Sequence, residues 1–381
     1  MTLELLALAQ AAALAVVLAR LASGRGRVPR VSPIPEGLDD TSVTVMLPTL
    51  DEGDRVGECL AGLRAQGPPL MEILVVDSNS TDGTRRVVEE AARSDPRVRL
   101  LTDPPLPPGW IGKVWALQYG LGAARGEWVL GVDADTVAER GMIAAAVHAA
   151  RSHGFDLVSF GPRFSEQSAG ERWLQPAMLA TLVYRSGPPG VDAAPDRVLA
   201  NGQCFLARRA LLSQHGGYEP ARASFADDVS LARHHARRGA RVGFLDGGRL
   251  YRVRGYGTLA RLWREWGRSI DLRDATAGAR QWLDVLTITL LQGVPVPVLA
   301  LAALGVGLPT RGRALLAVSA AAVGLRILLL VALRGSYARR GLAFWLSPLA
   351  DPLAALRLLV STARRPTMWR GREYCDLRMA G

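Results

Sequence analysis

EILVVDSNSTDGTRRVVEEAARS, residues 72–94, carries the reading of the fold. Glu72–Val76 is a short, mostly aliphatic run, the pattern of a strand buried on both faces. DSNSTDGT then supplies the Asp, Ser, Asn and Gly of a tight turn. From about Thr84 to Ser94 the apolar spacing becomes helical. A strand that passes through a polar turn into a helix is part of a βαβ unit, and the alternation continues on either side. Val43–Leu47 reads as a strand ended by Pro48, and Arg55–Ala65 as a helix with Val56, Cys59, Leu60 and Leu63 on one face. Arg97–Leu101 follows as a strand, Lys113–Ala124 as a helix, and Trp128–Val132 as a strand stopping at Asp133. The expected fold is α/β, a parallel sheet covered on both faces. Ligands bind such sheets beyond the carboxyl ends of the strands, where Pro48–Glu52, Asp77–Thr84 and Asp133–Asp135 all fall.

Around this core the 381 residues are 49% apolar and 21% charged, which excludes disorder. The net charge of +11 would fit a nucleic-acid binder, but its distribution does not. Residues 1–30 carry +3 and 309–381 carry +9, leaving 31–308 at −1. Basic residues beside apolar chain ends orient membrane segments, so no nucleic-acid partner is expected. Cys59, Cys204 and Cys375 are far apart and form no CxxC, which fits buried thiols in a reducing compartment.

Leu5–Ala22 is apolar except for Gln10 and Arg20, and its arginines lie at or after the C-terminal end. A cleaved signal peptide has the opposite order, so an uncleaved anchor is expected, with Arg20 snorkelling; an amphipathic surface helix is the alternative. Val285–Leu308 has no charge in 24 residues, with a kink expected at Pro295 and Pro297. After a PTRGR link, Ala314–Leu333 forms a second span interrupted by Arg326. Leu342–Ala363 contains Pro348, Asp351, Pro352 and Arg357 and has basic flanks on both sides, which suits a re-entrant or interfacial broken helix. The expected organisation is an anchor at 1–30, a cytoplasmic catalytic domain at 31–284, membrane helices at 285–363 and a basic cytoplasmic tail at 364–381. The location is then a bacterial inner (cytoplasmic) membrane, crossed several times.

The strand-end residues carry the chemistry. Asp133 and Asp135, two apart after a buried strand, suit one hard divalent cation, Mg²⁺ or Mn²⁺, with its bound diphosphate. A solvated turn with a helix cap is the bland alternative. Lys113 is the single lysine among 45 arginines and opens a helix after Gly112. A compact ammonium there suits a phosphate contact; otherwise it is an ordinary surface lysine. Asp77 closes its strand and can accept hydrogen bonds from a base or ribose, while Asp82 and Thr84 make the turn and cap the helix. Glu52 is open between capping and ligand contact. Asp227 and Asp228 open a helix in SFADDVSLARH, where the dipole favours acids. Their side chains diverge, so one can order the loop while the other acts as a general base toward a hydroxyl. The pair His234 and His235 reads as structural.

Together PTLDE (48–52), VVDSNSTDGT (75–84), Gly112-Lys113, DAD (133–135), NGQCFLARRAL (201–211) and ADD (226–228) resemble the family 2 glycosyltransferases. PLPPGWIGKVWA and WRGREY (369–374) look more particularly like bacterial enzymes associated with hopanoid and carotenoid glycosylation. The resemblance covers roughly 41–275 and implies a GT-A (Rossmann-like) nucleotide-sugar-binding domain. It implies that Pro48, Thr49, Glu52 and Asp77 hold the nucleotide, with Asp133 and Asp135 at the metal and diphosphate. Asp228 would be the base of an inverting displacement. The sequence departs from the pattern in Asp77-Ser78, where many members have two aspartates. The family's basic-x-x-Arg-Trp element appears loosely in RLWREWGRS (261–269), where Trp263, Arg264, Trp266 and Arg268 either close over the donor or form an interfacial helix.

The expected activity is hexose transfer from a UDP- or GDP-sugar to a lipid acceptor: polyprenyl phosphate, carotenoid, hopanoid or a glycerolipid such as diacylglycerol. A sugar-phosphate nucleotidyltransferase is disfavoured, because PTLDEGDR stands where a Gly-rich loop would follow the first strand. The intact DAD and DD disfavour a non-catalytic lipid-binding or export partner.

Overall fold

Aliphatic runs that cannot be solvated become strands here, and the polar turns between them become the rim of a sheet. The computed structural model describes residues 2–34, 41–305, 312–364, 368–369 and 372–374. The chain begins with α1 (Thr2–Ala22), β1 (Val43–Thr49), α2 (Val56–Arg64), β2 (Leu70–Asp77), α3 (Thr84–Ser94), β3 (Val98–Thr102), α4 (Gly112–Ala123) and β4 (Trp128–Gly131). It continues through β5 (Thr136–Ala138), α5 (Met142–Ser152), β6 (Leu157–Gly161), β7 (Arg163–Ser165), α6 (Ala169–Ser186), β8 (Phe205–Arg208), α7 (Arg209–Gln214) and α8 (Asp227–Arg237). Then come β9 (Val242–Asp246), β10 (Tyr251–Arg254), α9 (Leu259–Ser269), α10 (Gly278–Ile288), α11 (Pro295–Ala303), α12 (Arg313–Leu333), α13 (Leu342–Trp345) and α14 (Asp351–Ala363). A short hairpin, β11 (Met368–Trp369) and β12 (Arg372–Glu373), closes the described chain.

These elements form two compact units. One comprises 28–163, 194–254 and 367–381; the other comprises 1–27, 164–193 and 255–366. Residues 164–193 and 255–284, read from sequence as catalytic domain, fall in the second. Cys375 and most of the PTRGR link lie outside the described residues.

The first unit is built on a seven-stranded sheet of order β3-β2-β1-β4-β8-β6-β9. It is mixed rather than parallel throughout, because β8 runs antiparallel to both β4 and β6. That strand is four residues long and ends in Arg208, too short a run to stand out by periodicity. The parallel half determines the site. Thr49 pairs in register with Asp77, and Asp77 with Thr102, so three carboxyl ends finish level on one edge. Val45, Leu47, Ile73 and Val75 pack with Val56, Leu60, Leu63 and Val88 of α2 and α3. On the opposite face α4 comes close: a Cβ at Gly120 would lie 3.2 Å from Val76. At the other end of the strands, buried Glu72 accepts hydrogen bonds from Thr44, Arg99 and Arg125. Burial would raise its carboxyl, but these hydrogen bonds outweigh it and hold the group below its ordinary value.

The second unit is helical and contains three stretches long and apolar enough to cross a membrane, Leu3–Gly26, Gly278–Ala303 and Arg313–Ser336. The central stretch begins earlier than the charge-free run suggests. It passes through a π-helical turn, Thr289–Gly293, immediately before Pro295, where the Val294 N–H donates to the Thr289 carbonyl. Proline lacks the donor that a regular turn needs, so the irregularity falls where sequence predicts the kink. The polar residues within the apolar runs find one another. Gln10 donates to the Leu290 carbonyl and accepts from Ser319. Rather than snorkelling outward, Arg20 donates to the Tyr184 carbonyl and pairs with Asp284 at 3.4 Å. Residues 342–363 are broken, as Pro348 requires: α13, a 3₁₀ turn at Ser347–Ala350, then α14.

Candidate active site

Two loops at the carboxyl edge are laced together by side chains. The Asp51 carboxylate accepts from the Thr81 N–H at 2.7 Å, and the Asp51 N–H donates to Ser80 Oγ at 2.9 Å. Asp82 accepts from the Gly53 N–H at 2.8 Å and from the Thr84 hydroxyl at 2.5 Å. Asp51 (φ 52°) and Asn79 (φ 62°) both take left-handed backbone, which Asp and Asn tolerate better than other side chains. Asp77 is fully buried beneath this lacework. Its carboxylate accepts from Thr49 Oγ1, Ser80 and Arg85. It holds the turn and does not line the cleft described below.

The Asp133–Asp135 turn is fixed from both sides. The Val132 N–H donates to the Met46 carbonyl, and the Thr136 N–H closes the turn on the Asp133 carbonyl at 3.0 Å. The following strand, β5, pairs antiparallel with β10. Gln203 Nε2 reaches Asp135 at 3.4 Å. Lys113 stands at the start of α4, and the Ile111 N–H before it is tied to the Arg222 carbonyl at 2.8 Å. Its ammonium lies 2.9 Å from Asp133 Oδ1 and 3.8 Å from Asp227 Oδ2. Asp228 accepts instead from the Gly202 N–H at 2.8 Å and from the Val229 N–H at 2.7 Å. At Gly202 a Cβ would lie 2.8 Å from Lys113 Nζ, so a side chain there would displace the ammonium.

This arrangement is a largely buried acid cluster around one cation, with Asp133 its most exposed member. Burial alone would lower the Lys113 ammonium, yet Asp133, Asp227 and Asp228 drive it well above the usual lysine value. Burial pushes Asp227 up to about 7, with Lys113 opposing and Asp228 and Asp133 adding to the rise. Asp228 is raised as well, chiefly by burial. His235 is the opposite case: burial, then His234 beside it, push its imidazole down to about 4, so it is a neutral interior residue. Burial also pushes the Cys59 and Cys204 thiols up, leaving them unreactive.

A cleft of about 640 Å³, part of it open to solvent, lies on this edge. Pro48, Thr49, Leu50, Glu52, Gly112, Lys113 and Asp133–Asp135 line it. Ser78, Ala116, Arg372 and Tyr374 complete it. Of the residues singled out in the sequence, Pro48, Thr49, Glu52, Lys113, Asp133 and Asp135 thus share one cleft. Asp227 and Asp228 reach it through Lys113. Trp263, Arg264, Trp266 and Arg268 belong to the helical unit and are not among the lining residues. There Trp266 is buried against Phe164 and Trp263 stacks under Arg357. The same Arg268 pairs with Glu265, and Arg264 is exposed. Sequence reading noticed WRGREY but gave Arg372 and Tyr374 no role; a motif beyond the last apolar segment was the available signal.

Among the described residues no three His, Cys, Asp or Glu side chains cluster so as to hold a metal by themselves. Asp133 and Asp135 offer hard oxygen donors on the wall of the cleft, with Asp133 30% exposed. Two carboxylates completed by a ligand's phosphates suit Mg²⁺ or Mn²⁺, which seldom need an all-protein cage, so the residues fit such an ion.

The fold and strand-end acids define the class as GT-A, an α/β architecture. A solved mannosyltransferase, PcManGT from Pyrobaculum calidifontis in complex with GDP-Man and Mn²⁺, matches at TM-score 0.59, with 24% identity, over 95% of this chain and 99% of that one. A family model described as "Glycosyltransferase like family 2" matches residues 40–271, and the chain belongs to that family. A glucosyl-3-phosphoglycerate synthase from Mycolicibacterium paratuberculosis is 38% identical over 98 residues, 25% of this chain and 29% of that protein. The glycosyltransferase EpsJ of Bacillus subtilis, uncharacterised, is 25% identical over 210 residues, 54% of this chain and 59% of that protein. The chain therefore spans less than two thirds of these relatives.

Proposed function

We propose that the protein is a membrane-anchored, inverting hexosyltransferase that moves a sugar from a UDP- or GDP-sugar to a lipid at the cytoplasmic face. The observation carrying this reading is the cleft in which Thr49, Glu52, Lys113, Asp133 and Asp135 converge at the carboxyl edge of the sheet. The GDP-Man and Mn²⁺ of the mannosyltransferase of like fold support the choice of donor. The three long apolar helices support a lipid acceptor, a hydroxyl or phosphate of the polyprenyl, carotenoid, hopanoid or glycerolipid type.

In this reading Thr49 and Glu52 meet the nucleoside, while Asp77 holds the loop that shapes its site. Asp133 and Asp135 would hold a divalent cation, which would supply positive charge to the diphosphate leaving group. Lys113 keeps the acid cluster neutral enough to admit an anion. Asp228, fixed by two backbone N–H groups, takes the acceptor's proton. Asp227 orders the same turn and shares the Lys113 charge.

The test is nucleoside diphosphate release from UDP- and GDP-hexoses, with detergent-solubilised bacterial lipids and Mn²⁺. Lipid-dependent release is expected, and Asp135→Ala should abolish it while leaving the fold intact. No release with any donor, or full activity of Asp135→Ala, would overturn the reading.

A further inference from the structure

The hairpin β11–β12 follows the apolar helices in sequence yet belongs to the catalytic unit. Its Arg372 and the adjoining Tyr374 line the cleft. Arg372 Nη2 donates to the Ser78 carbonyl at 3.5 Å, at the end of β2. Tyr374 OH accepts the Gly112 N–H at 3.2 Å, at the first residue of α4. Its ring packs edge-on against Phe225, 5.9 Å between centroids, two residues before Asp227. The backbone at Gly112 is close under both: a Cβ there would lie 3.3 Å from Tyr374 OH and 3.4 Å from Arg372 Nη1.

Charge decides what this segment does. Glu52, Asp133 and Asp135 line the cleft, and Lys113 is already engaged by Asp133 and Asp227. A diphosphate entering such a cleft meets more carboxylate than ammonium. Arg372 is the other cation on its wall, and it makes no ion pair among the described residues. A guanidinium offers a planar fork of donors matched to phosphate oxygens.

We propose that Arg372 and Tyr374 form a clasp on the donor site. Arg372 binds the diphosphate of the nucleotide sugar, and Tyr374 is a positioning residue that sets the Gly112-Lys113 backbone beneath it. The clasp rests on the nucleotide-sugar reading above. It makes Arg372 and Tyr374 part of the donor site.

The test is calorimetric binding of UDP, GDP and uridine, with Mn²⁺, to the full-length protein in detergent. Arg372→Gln should weaken UDP and GDP binding by about 10–100-fold, the scale of a lost charge-assisted hydrogen bond. Arg372→Lys should recover part of that loss, and uridine binding should not change in either variant. Tyr374→Phe should give a smaller loss in diphosphate binding. Wild-type binding of UDP or GDP with unchanged affinity in Arg372→Gln overturns the clasp alone. Tighter binding in Arg372→Gln also overturns it, because the hairpin would then be a plug competing with the donor. A wild-type protein that binds neither nucleotide overturns the donor reading and the clasp together.

Discussion

Asp227 and Asp228 are neighbours on one helical turn, yet their surroundings differ. Asp228 accepts two backbone N–H groups, whereas Asp227 faces the Lys113 ammonium at 3.8 Å. Replacing Asp228 with Asn keeps shape but removes the proton acceptor, so transfer should fall by roughly 10²–10⁴-fold with nucleotide affinity nearly unchanged. Asp227→Asn should cost less, through loop order and the helix dipole. If Asp227→Asn were the inactive variant, the base would be Asp227 and not Asp228. Burial holds Asp227 up to about 7 and raises Asp228 above the ordinary aspartate value. A base must be ionised to act. Initial rates should therefore rise with pH, with the rise displaced upward from where an ordinary aspartate ionises. A flat profile would place the base outside this buried cluster.

At the scale of elements, two of the charges that interrupt the apolar runs are each other's partners. Arg326 of α12 and Asp351 at the start of α14 are both buried and pair at 3.0 Å, with Ser347 Oγ accepting from Arg326 at 2.8 Å. The pair joins a membrane-type helix to the broken segment. Losing one member leaves the other charged and buried. Arg326→Leu alone should destabilise by about 3–5 kcal/mol, read as a lower thermal midpoint in detergent. Arg326→Leu with Asp351→Leu should recover much of that loss. A double variant as unstable as the single one would show that helix packing, not ionic pairing, is what the substitution disturbs.

For the whole molecule, the positive-inside rule applied to the arginines after the first apolar helix predicts that residues 31–284 lie inside the cell. Protease added to intact cells should leave this region uncut, and cleavage should appear only after the cells are opened. Digestion from outside would reverse the orientation.

The sequence by itself determined the strands β1 to β4, the helices between them and the residues at their carboxyl ends. Those features are local: aliphatic runs must be buried, and turn residues mark where each run stops. It also located the apolar stretches and the break at Pro348, because proline removes a backbone donor wherever it stands. Tertiary structure decided the rest. Only pairing across the sheet could make β8 antiparallel, and only a buried neighbour could give Asp77 its partners in Thr49 and Arg85. The isolation of Lys113 in the sequence was visible, but its three acidic neighbours come from residues 20 to 115 positions further along the chain. Arg372 and Tyr374 lie 259 and 262 positions from Lys113 and Gly112, respectively. Spacing along a chain carries no information about contacts that close only when distant segments fold onto one edge.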